Sequence, residues 1–476
     1  MRNLPSPLTL AFIGFSGVVL TACDSSGGGV DEGADRRGDV AGVYFSAKNG
    51  QVGDELWTSD GSEGGTRLLR NIAGSGANSE AGAFHRVGDL VLFAAETPAQ
   101  GRELWRTDGS EAGTQLVKDI LPGAGDGVEL SEAAVFNGAL YFAARDSATG
   151  EELWRSDGTR DGTQRVADIQ SGADGSRPEG FTVFDGLLYF SAEGGAGGEL
   201  WRSDGTAAGT ERVTDINPSG GAFPTQLTVL GDQLLFFARD GNTGKELWRS
   251  DGDPASGASR VADIDNGADD ATPGVACGPG FDPLVFQGAF YFNANDGNAG
   301  VELWRSDGNS VERITDINSS GNSLPCEPTV AAGTLYFVAQ DDQFNEDLYR
   351  LDTAAAATTV VQVNTSASGI LPSALTALGG DVYFSARADG GNFNDELWRT
   401  DGLGSGITKV AEIRPGDDGS QPRGMIASGG TLYFGANDGV TGVELWRSDG
   451  TEAGTERVKD INPSGDSDPT PLFATQ

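Results

Sequence analysis

The octapeptide Glu152-Leu153-Trp154-Arg155-Ser156-Asp157-Gly158-Thr159 recurs unchanged at Glu199–Thr206 and Glu444–Thr451, and variants of it punctuate the rest of the chain. All eight tryptophans belong to it: Trp57, Trp105, Trp154, Trp201, Trp248, Trp304, Trp398 and Trp446. A ninth, degraded copy at Glu346–Thr353, with Tyr349 in the tryptophan place, fills the gap of 94 residues between Trp304 and Trp398. Successive copies lie 48, 49, 47, 47, 56, 45, 49 and 48 residues apart, so one unit repeats nine times. A fixed period near fifty residues marks a propeller or an array.

The unit around Trp201 shows what repeats. Phe181–Phe184 is a short β-rich run closed by Asp185-Gly186, a strong hairpin signal. Leu187–Ala192, Glu199–Ser203 and Glu211–Ile216 follow, separated by glycine-rich turns, with no apolar period of a helix. The second run is apolar on both faces, as in Tyr44-Phe45, Tyr141-Phe142, Tyr189-Phe190, Tyr291-Phe292, Tyr336-Phe337, Tyr383-Phe384 and Tyr433-Phe434. Such a strand must be covered on both sides, which a radial array of sheets achieves. The expected fold is therefore all-β: a β-propeller of about nine four-stranded antiparallel blades. An eight-bladed ring with the Tyr349 unit extruded is the alternative count.

Within this frame most repeated residues read as structural. The tryptophans are packing residues between blades rather than stacking platforms. Each Asp-Gly, from Asp60-Gly61 to Asp449-Gly450, is a turn in which the carboxylate accepts amides and the glycine takes positive φ. The arginine after the tryptophan, replaced by Thr58 only in the first unit, is placed to pair across or between blades with the aspartate before the closing isoleucine (Asp119, Asp168, Asp215, Asp263, Asp316, Asp460). The first unit begins at a second-strand sequence, Val43–Ala47, and the chain ends with a first-strand sequence at Asp468–Ala474. Pairing of these terminal strands closes the ring and leaves no exposed edge.

Residues 1–22 read as a signal: Arg2 in a short basic head, an apolar run Leu8–Leu20 too short to span a bilayer, then Leu20-Thr21-Ala22-Cys23. Residues 23–40 form an acidic Ser/Gly-rich tether, and 41–476 form the repeat domain. Leu-Thr-Ala-Cys resembles the lipobox of bacterial lipoproteins, which implies a lipid on Cys23 and an extracytoplasmic chain held at the membrane of the envelope, periplasmic or at the cell surface. Cys277 and Cys326 lie 49 residues apart, one period, in similar places of neighbouring blades. An exported chain permits a disulfide between them. With 32 Lys plus Arg against 70 Asp plus Glu, the net charge of -38 opposes nucleic acid as a partner.

The unit resembles the ELWxxDGT repeat family of bacterial exported proteins, from Val43 to the C-terminus; Asp352-Thr353 and Gly257-Ala258 depart from its pattern. The resemblance implies an extracytoplasmic repeat domain and brings no activity with it. The catalytic inventory is thin. His85 is the sole histidine and sits in a first strand, where packing is the expectation, and no Walker loop, HExxH or CxxC is present. Loops Asp240–Glu246 and Asp296–Glu302 offer hard oxygens for calcium, against an Asx-turn reading; no other cofactor and no metal set is indicated. The expected function is a monomeric binding or scaffolding module for an envelope protein or polysaccharide, with the least repetitive loop, Ala268–Gly280, as the first candidate surface. A glycan- or peptide-processing enzyme using paired carboxylates in the central channel is the alternative.

Overall fold

Each repeat folds as a four-stranded antiparallel meander, and nine of them form a β-propeller. The structure, a computed structural model, describes residues 42–475 except 75, 196, 266–269, 272–280, 353–358, 365–368, 388–393 and 403–405. Val40–Gln476 cluster as one compact unit. Blade four shows the order: Glu179–Phe184, Leu187–Glu193, Gly198–Ser203 and Glu211–Arg212. First strands of successive blades touch one another around most of the ring, so they are the innermost and border the channel. The Asp-Gly hairpins and the DGT turns fall on one face; the loops between second and third strands and the blade-to-blade crossovers fall on the other.

Blade one joins the two ends of the chain. Val43–Ala47 pairs on one side with Glu55–Ser59 and on the other with Thr470–Ala474, in register Val43↔Ala474 and Tyr44↔Phe473. The count is nine because the Tyr349 unit is a complete blade: Cys326–Ala331, Thr334–Gln340, Glu346–Asp352 and Thr359–Gln362. Tyr349 is buried against Phe337 with ring centroids 5.8 Å apart.

The core lies between blades. The second-strand aromatics Tyr44, Tyr141, Tyr189 and Tyr291 and their phenylalanine neighbours are fully buried, each cluster drawing on two adjacent blades. Six of the tryptophans are buried and Trp201 and Trp248 partly so, and four of the eight donate Nε1–H to the second-strand alanine carbonyl of their own blade: Trp57 to Ala47, Trp201 to Ala192, Trp248 to Ala238 and Trp304 to Ala294. Aromatic burial of this size dominates the packing energy.

The Asp-Gly turns combine two demands. Asp157 Oδ1 accepts the amide and hydroxyl of Thr159 at 2.8 and 2.6 Å, and Gly158 sits at φ +84°. The glycine also faces the preceding blade: a Cβ on Gly252 would lie 2.2 Å from Tyr189 Oη, and one on Gly450 2.1 Å from Tyr383 Oη. Tyr189 donates to the Gly252 carbonyl at 3.1 Å. The arginine after the tryptophan reaches the same carbonyl of the next blade, from Arg106 to Gly158, Arg202 to Gly252, Arg249 to Gly308 and, across the closure, Arg447 to Gly61, all near 2.9 Å. The aspartates before the closing isoleucine take other partners: Asp215, Asp263 and Asp316 pair with the fourth-strand Arg212, Arg260 and Arg313.

The glutamate that opens ELW is the residue whose role the repeat alone leaves undefined. Glu55, Glu103, Glu152, Glu199, Glu246, Glu302 and Glu444 are wholly buried. Glu103 accepts the amides of Ile120 and Leu121, both at 2.9 Å, and Glu152 accepts those of Ile169 and Gln170 and the hydroxyl of Ser176. Each carboxylate thus fixes the crossover into the next blade by satisfying amides that leave the sheet. In blade seven the shorter Asp347 reaches the side-chain amides of Gln362 and Asn364 instead.

Candidate functional site

With the motif chemistry engaged inside the ring, the non-repeating polar side chains of the crossover face remain. One set lies at the channel mouth on blades three to five. There the first strands carry a bulge just after their start, between Glu179 and Thr182 and between Thr225 and Thr228, with Gly180 and Gln226 at φ +66° and +57°. A bulge re-aims the side chains beside it.

Glu179 opens the first strand of blade four, and Glu132 lies on the adjacent first strand of blade three, Val128–Phe136. Glu132 Oε2 accepts the bulge amide of Gly180 at 2.6 Å. Desolvation, reinforced by the Glu132 charge, pushes the Glu179 carboxyl above its ordinary value. Lys245 opens the third strand of blade five and donates to Thr225 Oγ1 at 3.2 Å. Partial burial, reinforced by Arg239, lowers its ammonium. Glu179 and Lys245 feel one another's charge without closing into an ion pair. Neighbouring charges are paired: Arg145 with Glu151 at 3.2 Å and Arg177 with Glu193 at 2.8 Å, while Arg239 pairs with Asp270.

An aromatic ring completes the arc. Phe223 precedes Thr225 by two residues, sits at φ +48° and keeps 43% of its surface exposed. Its ring lies against the backbone of Gly198 and Gly221, where added Cβ atoms would come within 2.7 and 2.5 Å of it. One face of the ring is therefore seated on glycine while the rest meets solvent. Asp270, at the start of the long crossover, also accepts the Lys245 amide at 2.8 Å, so that crossover departs beside this arc. The remainder of the Ala268–Gly280 loop, apart from Ala271, lies outside the described residues.

The other sequence candidates fall elsewhere. His85 Nε2 contacts the Leu130 carbonyl of the next blade at 2.9 Å, in the register position from which Thr182 donates to Leu227 O at 3.0 Å; burial lowers its imidazole. The calcium loops are Asx turns: Asp240 Oδ1 accepts Asn242 and Thr243 amides, and Asp296 Oδ1 those of Asn298 and Ala299. Arg260 and Arg313 approach the second oxygens at 3.9 and 3.6 Å. Cys326 is buried at the start of its strand and disulfide-bonded; Cys277 and Cys23 lie outside the described residues. On the opposite face a shallow recess of blade five is lined by Gln233, Arg249 and Asp251, but Arg249 is committed to Gly308 and Asp251 to the amide of Asp253. The signal for the arc was present in the sequence only as departures from the repeat, since Phe223, Thr225 and Lys245 have no counterparts of their kind in most units.

No protein-family model matches the chain, and no curated protein matches it in sequence. Among solved structures it is similar to a puromycin hydrolase, at 14% identity over 80% of this chain and 53% of that one with a TM-score of 0.39. A puromycin-hydrolyzing peptidase of Mycobacterium tuberculosis gives 11% identity over 80% and 52% with a TM-score of 0.40. TolB from Acinetobacter baumannii gives 14% over 58% and 63% with a TM-score of 0.31. The chain spans about half the length of the two hydrolases. Likeness at this level bears on no activity.

Proposed function

We propose that the chain is a lipid-anchored, extracytoplasmic β-propeller serving as a binding or scaffolding module for an envelope protein or polysaccharide. In this reading Cys23 carries the lipid, Cys277 closes the disulfide of Cys326, and the ring acts as a monomer that neither binds nucleic acid nor holds a resident cofactor. We keep the ELWxxDGT repeat family as part of the proposal. The observation that carries it is the division of labour in the ring. The motif's glutamates, arginines and aspartates serve crossovers, neighbouring blades and their own turns, whereas the arc from Glu132 to Phe223 departs from the repeat and keeps open polar and aromatic groups at a channel mouth. Rigid scaffolds carry function on such variable positions.

The Glu132–Glu179 pair favours a second reading, hydrolysis of a glycan or peptide by paired carboxylates, one with a raised pKa. Affinity capture from solubilised envelope with the domain from Val40 onward separates the two. One stoichiometric partner, protein or glycan, establishes the module. An empty capture together with an activity lost in Glu179→Gln at unchanged Tm establishes the enzyme.

A further inference from the structure

We infer that the Phe223–Thr225–Lys245–Glu179 arc is a subsite for a neutral pyranose ring of a polysaccharide; this rests on the binding-module reading and names its ligand class. Glu179 opens the first strand of blade four, and Lys245 is held by Thr225 Oγ1 at the start of the adjacent first strand of blade five, without an ion pair between the two charges, so together they demand no net charge from a ligand. They do demand a group that donates to one and accepts from the other. A carboxylate only accepts and an ammonium only donates, whereas a hydroxyl does both; vicinal hydroxyls of a sugar therefore bridge the gap that the two side chains leave. Thr225 Oγ1 already takes one Lys245 proton, leaving further protons of the ammonium for the ligand.

Phe223 supplies the apolar half. Its ring is backed by the Gly198 and Gly221 main chain, which fixes its plane and leaves a face open. The negative face of an aromatic ring receives the polarised C–H face of a pyranose as it receives the edge of another aromatic ring. A polyanionic chain is disfavoured by Glu132 beside Glu179 and by the net charge of -38. A free cation meets Lys245 and Arg239. A neutral ring with one apolar face and several hydroxyls satisfies all four side chains at once.

The test is retention of the chain from Val40 onward on immobilised neutral hexose and N-acetylhexosamine oligosaccharides, with Kd measured for those retained. Wild type is expected to bind a subset; Phe223→Ala and Lys245→Met are expected to weaken it about tenfold or more, with Glu179→Gln weakening it as well. Leu371→Ala, at the same rim position of blade eight and similarly exposed at 40%, is expected to bind as wild type. Binding unchanged in Phe223→Ala and Glu179→Gln would move the sugar elsewhere and overturn the subsite. No oligosaccharide retained, while envelope capture yields a stoichiometric protein partner, would overturn the glycan assignment and leave the module standing; failure of both experiments would remove both.

Discussion

Arg67 donates to the carbonyl oxygen of Gly109 at 2.9 Å, and by doing so it repairs the one defect in the repeated arginine series. In blades two, four, five and nine this bond to the next blade's glycine comes from the residue after the tryptophan, but blade one has Thr58 there. Arg67 stands opposite Thr58 on the neighbouring fourth strand, close enough for its guanidinium to reach the same acceptor. At this junction the contact between blades is kept while the residue position that supplies it changes.

Removal of this bond is expected to loosen the junction of blades one and two. Arg67→Ala should destabilise by about 1 kcal/mol, the net worth of an accessible charged donor to a carbonyl, read as a lowered Tm. Adding Thr58→Arg to that variant should restore most of the loss. If the double variant melts no higher than Arg67→Ala, the two arginine positions are not equivalent and the repair argument fails.

A second prediction concerns Gly252. It needs φ +81° and has Tyr189 Oη 2.2 Å from where a Cβ would go, so Gly252→Ala combines a left-handed penalty with an overpacked blade interface, together about 3 kcal/mol. Gly186, at φ +73° with open space around it, should cost only about 1 kcal/mol on the same substitution. Tyr189→Phe should recover part of the Gly252→Ala loss and none of the Gly186→Ala loss. Denaturation midpoints of the set decide it.

Much of this ring was legible in the sequence because the repeat is its own alignment. Nine recurrences of one strand pattern define the blade, and the unmatched ends at Val43 and Ala474 announce the closure. Side-chain partners were less legible. The arginines and the pre-isoleucine aspartates share a spacing that suggests a pair, yet the arginine finds a carbonyl one blade on because a hairpin neighbour lies beside it and the next turn lies at its tip. The role of the buried glutamates is illegible for a related reason: the donors to them are backbone amides 17 and 18 residues downstream, which leave no mark on residue type. The arc around Phe223 is invisible to a search for periodicity, since what defines it is the absence of repetition.

The calcium loops give a third prediction. One oxygen of Asp240 is saturated by the Asn242 and Thr243 amides and the Thr243 hydroxyl, Arg260 faces the other, and Glu246 is turned inward to the Ile264 amide. These ligands are not convergent on a hard cation. Chelation with EDTA is expected to leave Tm where it is; a fall that added calcium reverses would show that the loops rearrange around a metal.

The buried carboxylates make a prediction about pH. Burial pushes Glu103, Glu246 and Glu444 from an ordinary 4.5 up to about 7. Between those values the folded chain keeps protons that the unfolded chain has released, so its stability falls as pH rises through the window. The turn aspartates act in the opposite sense. Hydrogen bonds from the Thr159, Thr206 and Thr451 hydroxyls hold Asp157, Asp204 and Asp449 below 3.8, and the stability they contribute is present above 3.8 and lost as pH falls below it. The two sets therefore bracket a maximum in the mildly acidic range, on the order of pH 4 to 5, and mutual repulsion of the excess acidic charge steepens the alkaline side. Calorimetric Tm values between pH 3 and 8 should trace this asymmetric dome. Glu103→Gln, which removes one titrating group while retaining an acceptor for the Ile120 amide, should flatten the decline between pH 5 and 7. A Tm that climbs towards neutral pH would mean that the amides and serine hydroxyls around these carboxylates outweigh the loss of water, and that the crossovers are held by anions.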